Sequence, residues 1–342
     1  MPKAFLKFAS YMQVVAIIFV VLSHSLHQYP DGNLGRTTYA YLISAALGVA
    51  LFMFVSGMLL AYASTPDQGS YTRFRSFTFA KCRRLLVPFV VLTLVTFVPR
   101  SLMSGYADDA ITLSLGSLIG AFFDSQTLVI PYLWFLQSCF TLLVLCYAFL
   151  LLCSKLSVKT FFADTVLLTI AVLLLRRGPG IAFFSLGETM RFAIYFVCGI
   201  VYGHFMDSID RIVPWTSCWF LILSTAIFVA LFMFAENPFA QTVSTLVAVV
   251  ATISLTKILV RHNVRIFNHL VGANYMIFLL SWYFNVFAQQ ILSHYISLPW
   301  YIHTAMSLLM GIYLPWLAYR LMLRHRHTAA ARHAATLLGQ KL

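Results

Sequence analysis

Charge is what this chain has least of. Only 10% of its 342 residues are Asp, Glu, Lys or Arg, while 61% are hydrophobic; a soluble domain carries about 25% charged residues. So little polar side chain cannot cover so large an apolar content in water, and the solvent around the protein is expected to be lipid. Acidic groups are the scarcest, 10 against 23 basic ones, for a net charge of +13. With no soluble domain to present it, that excess does not indicate nucleic acid. In a bilayer it reads as basic loops facing anionic headgroups. The six cysteines (Cys82, Cys139, Cys146, Cys153, Cys198 and Cys218) lie in or beside apolar runs. None forms a close pair with metal or redox spacing, so buried free thiols and no metal site are expected. The first apolar run lacks an A-x-A-like cleavage site and is followed by others, so it is read as a membrane helix rather than a leader. No repeat and no separate soluble domain is visible.

A membrane span needs about 20 largely apolar residues. Ten windows satisfy that ruler, near 9–28, 41–63, 85–104, 131–153, 160–176, 189–206, 214–235, 239–259, 270–293 and 300–322. The fifth is the shortest. The stretch 110–123 is too short to span and is expected to lie as an interfacial or re-entrant helix. Placing the N-terminus in the cytoplasm puts eighteen Lys and Arg inside and five outside. Reversing the topology or dropping one span scrambles this partition. The expected fold is therefore an all-α polytopic bundle of about ten helices with both termini cytoplasmic. Residues 1–323 form the membrane domain, and 324–342 form a basic cytoplasmic tail expected to fray against the membrane surface.

Ionisable groups inside a bilayer are costly, about 2.5–3.5 kcal/mol for a central charge on insertion scales, so they need a reason. The first span carries His24 and His27, three apart and on one face, toward its outer half. A neutral imidazole is cheap to bury and accepts a proton near pH 7. Read from composition alone, either histidine also suits an interfacial residue bonded to backbone. Gln13 lies eleven residues earlier, about 16 Å along the axis. On the outer side, Glu188 and Arg191 are spaced to pair on the sixth span. They suit a local ion pair as well as support for a site. Trp134 reads as part of an aromatic belt or as a stacking platform. Asp31, in the external turn Tyr29-Pro30-Asp31-Gly32-Asn33, is within reach of orienting His27. Ser56-Gly57 reads as a close helix contact.

Several fragments resemble the acyltransferase 3 family, bacterial membrane O-acyltransferases that modify sugars. They are Val15 through Ser25 around His24; Leu51-Phe-Met-Phe-Val-Ser-Gly57-Met-Leu-Leu; Lys81-Cys-Arg83-Arg84-Leu-Leu-Val-Pro88-Phe, which resembles the family's basic loop running into a proline-started helix; and Pro131-Tyr-Leu-Trp134-Phe-Leu. Phe192 through Gly199 and Val271 through Phe278 follow in the family's order. Each is a weak match alone; their order and spacing over residues 11–285 are more specific. Two positions depart from the pattern. Gln13 stands where the family usually has Arg or Lys, and Ser281-Trp282 stands where it often has a histidine.

The resemblance implies an O-acetyltransferase-like enzyme of the bacterial inner membrane. It holds no bound cofactor and uses acyl-CoA, usually acetyl-CoA, as co-substrate from the cytoplasm. The acceptor is a glycan or lipid-linked sugar, and the product a modified surface or exported polysaccharide. Polysaccharide-synthesis machinery is the implied protein partner. His24 is implied as general base or transient acyl carrier, with His27 and Glu188 beside it. Lys81, Arg83, Arg84 and Gln13 are implied at the anionic donor, and Trp134, Arg191 and Asp31 at the acceptor. A transporter or flippase of a polysaccharide or lipid-linked precursor would also place histidines and carboxylates in spans. Such proteins tend to show inverted repeats, and none is evident here.

Overall fold

The computed structural model describes residues 3–27, 34–62, 74–102, 111–175, 180–234, 237–292, 295–296 and 299–340. They are almost entirely helical, and each of the ten apolar windows holds a helix. Among the described residues, seven helical runs are long and apolar enough to cross a bilayer. Two more, Thr160–Leu175 and Cys218–Met233, are apolar but 16 residues long. The protein is a polytopic helical membrane protein. Its chain divides into two compact units, residues 1–55 with 205–326 and residues 56–204 with 327–342.

The first unit is organised around α1 (Lys3–His27), which packs against α10 (Pro238–Arg261), α11 (Asn274–Val286) and α12 (Trp300–Arg324). Its Tyr11, Met12 and Ile17 are fully buried. The start of α2 (Leu34–Tyr62) joins it at a close approach: a Cβ on Gly48 would lie 2.8 Å from the Val20 backbone nitrogen. Helix α9 (Cys218–Met233) pairs with α10, which begins at Pro238 behind an Asn237 cap that accepts from Ala240 N at 2.9 Å. Proline suits that first position because its missing N–H would have no partner there. Helix α11 runs into a π-helical turn, Phe287–Leu292.

In the second unit, α3 (Phe74–Lys81), a π-helical turn (Cys82–Leu86) and α4 (Val87–Leu102) form one continuous run. The basic segment expected as a loop before a proline-started helix is thus itself helical. The reason is local. Pro88 has no N–H for the Arg84 carbonyl, so the ladder widens, and Val87 N–H bonds back to Cys82 O instead. The short α5 (Leu115–Phe123), capped by Ser114, presents Leu115, Ile119 and Phe123 outward at helical spacing. Helices α6 (Trp134–Lys155), α7 (Thr160–Leu175) and α8 (Leu186–Ile212) follow. The end of α2 crosses α8 at two glycines. A Cβ on Gly57 would sit 1.9 Å from Phe196 O, and one on Gly203 would sit 2.7 Å from Met58 O. The Ser56-Gly57 pair therefore serves close packing. Helix α8 kinks at Phe205 (φ −109°, ψ 16°), directly after His204.

The tail departs from its expected frayed state. Residues Ala329–Leu337 form α13, with the Thr328 hydroxyl capping Ala331 N and Ala335 buried. Beyond it, Gly339 (φ +63°) lies against the Arg84 carbonyl of the π-helical turn. A Cβ there would come within 2.4 Å of that oxygen, and the left-handed φ also favours glycine.

Candidate functional site

In the first unit, the end of α1 is held by a distant glutamine. The last four carbonyls of a helix have no donor within it. Gln289 Nε2 donates to two of these, Ser25 O at 2.6 Å and His24 O at 3.2 Å. The serines flanking His24 bond back into the helix, Ser23 to Val20 O and Ser25 to Val21 O. The turn that carries the half-buried His24 is thus fixed by its own hydroxyls and by α11's extension. The two helices packed against α1 there carry further buried polar side chains. Ser281 and Asn285, each 1% exposed, precede Gln289 at four-residue spacing. His303 and Ser307 lie four apart on α12, followed after four more by Gly311. A Cβ on Gly311 would meet Asn285 Oδ1 at 2.2 Å and Val21 Cγ1 at 2.8 Å, so α1, α11 and α12 converge there.

At the other end of α1, Lys7, Ser10 and Tyr11 line an open cavity of about 500 Å³ with Asn268 and Val271. The Tyr11 hydroxyl lies 2.7 Å from Val264 O and 2.5 Å from Asn268 Oδ1. One phenolic proton cannot serve two acceptors. Turning the Asn268 amide lets its nitrogen donate to the tyrosine oxygen while the phenol donates to Val264 O. Gln13 is half-buried, three residues beyond Ser10. The His27 side chain and Asp31 lie outside the described residues.

The remaining candidates lie in the second unit. Lys81 is half-buried, its Nζ 5.2 Å from the Phe77 ring centroid; Arg83 and Arg84 are exposed in the π-helical turn. Arg191 pairs with Glu188 at 3.9 Å, with side-chain exposures of 64% and 35%. Its guanidinium also lies 5.5 Å from the Phe192 ring, and Trp134 stacks on Phe192 at 5.3 Å. Glu188, Arg191 and Trp134 therefore form one cluster, in which protein covers one face of the indole. His24 and Gln13 belong to one unit, while Lys81, Arg83, Arg84, Trp134, Glu188 and Arg191 belong to the other.

Two groups escaped the sequence reading. Gln289, Asn285 and Ser307 carry no charge, and only their four-residue spacing on apolar helices marks them. The second group is an acid–base pair. His204 Nδ1 lies 2.9 and 3.0 Å from the two oxygens of Asp164, with side-chain exposures of 10% and 4%. Such contacts place a proton on Nδ1, the ring nitrogen that faces the carboxylate. A carboxylate at position 164 inside an apolar helix was the available signal.

A family model described as an acyltransferase domain, acyltransferase 3, matches residues 6–320. No curated protein and no solved structure gave a match.

Proposed function

The chain belongs to the acyltransferase 3 family and is a membrane acyltransferase, and from that premise we propose that it moves an acyl group, acetyl in the simplest case, from acyl-CoA to a sugar hydroxyl of a cell-surface or exported polysaccharide. The observation that supports the reading is that Gln289 holds the turn bearing His24, one turn from where α1, α11 and α12 converge at Val21, Asn285 and Gly311. On the orientation set by the basic residues, both termini face the cytoplasm of a bacterial inner membrane. His24 then lies toward the outer face, and the Lys7–Tyr11 cavity and the Lys81–Arg84 segment face the donor. Lys81, Arg83, Arg84 and Gln13 are assigned to the donor. Arg191, Trp134 and Asp31 are assigned to the sugar, with Glu188 and His27 assisting.

His24 takes the proton of the sugar hydroxyl as its oxygen attacks the thioester carbon. The carbon–sulfur bond then breaks, and the thiolate recovers a proton from the imidazolium. In the covalent variant the imidazole attacks the thioester carbon first, the carbon–sulfur bond breaks and the thiolate takes the ring N–H proton; the sugar hydroxyl then attacks the acyl-imidazole, and its proton returns to the ring. Purified protein in lipid, given labelled acetyl-CoA and candidate glycans, tests the reading. We expect label on the glycan and at least a hundredfold slower transfer by His24→Ala. Absence of both transfer and thioester hydrolysis by the intact protein would overturn the enzyme assignment. Equal transfer by the variant would remove His24. Trapping labelled protein without acceptor separates the covalent route from the base route.

A further inference from the structure

Three polar atoms beside the His24 turn have no hydrogen-bond partner among the described residues: Asn285 Nδ2, Asn285 Oδ1 and Ser307 Oγ. Asn285 is 1% exposed and Ser307 is 0% exposed. In a bilayer no solvent satisfies such groups from outside, and helices satisfy their own backbone first. A buried donor left without a partner needs an explanation, and a ligand is one.

Their heights along the bundle follow from the contacts. Gln289 meets Ser25, and Asn285 lies beside Val21 through Gly311. Four residues on α11 thus match four on α1, so the two helices run parallel. Helix α12 returns after a short connection and runs antiparallel to both. Gly311 is level with Val21, so Ser307, one turn nearer the start of α12, is level with His24 and Ser25. Asn285 is one turn below, on the side from which the donor arrives. Two unpartnered donors on two helices therefore flank the turn that carries His24.

We propose that Asn285 and Ser307 donate hydrogen bonds to the acyl carbonyl oxygen as it becomes the oxyanion of the tetrahedral intermediate. The inference rests on the acyl-transfer reading given above. When the hydroxyl oxygen attacks the thioester carbon and its proton passes to His24, the carbonyl π pair moves onto oxygen. Asn285 Nδ2–H and Ser307 Oγ–H hold that negative charge. The pair returns as the carbon–sulfur bond breaks, and the thiolate takes the proton from His24. Donors fixed in a dry site meet the charge without reorganising, and losing one typically slows turnover about 10²–10³-fold.

The test is the kinetics of acetyl transfer, with thermal unfolding measured on the same lipid-reconstituted protein. Asn285→Asp keeps the shape and loses the amide donor; we expect kcat to fall about a hundredfold with the donor KM within threefold. Ser307→Ala should lower kcat about tenfold or more. Gly311→Ala leaves both donors in place but displaces the Asn285 amide, and should also lower kcat. Variants that fold as the parent does and keep kcat within threefold would overturn the proposal. So would losses confined to KM, or losses that follow melting temperature alone. If the parent itself neither transfers nor hydrolyses acetyl-CoA, the acyl-transfer reading falls and this one falls with it. A working parent with unimpaired Asn285→Asp removes only the oxyanion role.

Discussion

Each unit buries a cluster of uncharged polar side chains, and the two clusters are finished differently. In the second unit, Gln137 Nε2 donates to Phe122 O at 2.8 Å and its carbonyl accepts from Ser185 Oγ at 2.5 Å. Thr189 Oγ1 donates toward Ser138 Oγ, at 3.0 Å, or Ser185 O, and Ser138 donates to Ser185 O at 3.2 Å. That network closes on itself. It holds the end of α5 and the segment leading into α8 against α6, and in that segment Phe184 and Ser185 both adopt left-handed backbone (φ 47° and 55°). In the first unit, Asn285 and Ser307 are as deeply buried and stay open. A closed network is architecture, since every group in it already has its partner. An open one costs about 1–3 kcal/mol per stranded group, a cost that function explains better than packing does.

The contrast predicts opposite responses to substitution. The largest stability effect should come from the His204–Asp164 pair: His204→Ala strands a buried carboxylate and should cost about 3–5 kcal/mol of unfolding free energy. Chemical denaturation in mixed micelles measures it. Replacing both residues by leucine should recover most of that loss, because a packed apolar pair then replaces a buried hydrogen-bonded polar one. Next, Gln137→Leu strands the Phe122 carbonyl and the Ser185 hydroxyl and should cost about 1–3 kcal/mol, with donor KM unchanged. In the open cluster the sign reverses. Asn285→Leu removes two unsatisfied atoms and should leave melting unchanged or slightly higher while transfer collapses. A large fall in its melting point would break the comparison. The smallest effect belongs to Glu188→Gln. The Glu188–Arg191 pair is long and exposed, so its stability change should stay within about 1 kcal/mol. A larger change in glycan KM would show that the pair faces the acceptor.

The fold was legible because lipid imposes its own ruler. Any run able to satisfy its backbone in hydrocarbon is helical, and all ten apolar windows hold helices. The helical basic segment at Arg83–Arg84 was missed, because the basic residues read as a loop and Pro88 as a start. The structure uses the proline to open a π-helical turn instead. The fraying expected of the tail failed for a related reason: the contact that seats Gly339 joins residues far apart in the chain. His24 was legible through its neighbours' resemblance to a family. Its surroundings were not, since Gln289 reaches α1 across 264 residues and no local pattern announces such a pairing. The spacing of Ser281, Asn285 and Gln289 was on view, but small polar residues in membrane helices more often serve packing. Asp164 was the clearer oversight, being an acid within an apolar run.

The π-helical turn at Phe287–Leu292 gives the helix a reading frame. Such a turn holds more residues than an α-helical one, so its register is set by length as much as by side chain. Deleting one residue early in it would rotate everything downstream by about 100°, without altering the helix's composition or its fitness for lipid. Because the sequence there is Gln289-Gln290, such a deletion would still supply a glutamine to the α1 carbonyls. What it would change is the phase of the residues that follow the glutamine within the turn. Relatives of this chain that differ in length at this turn should therefore keep a glutamine at the α1 carbonyls and differ in the residues that flank it.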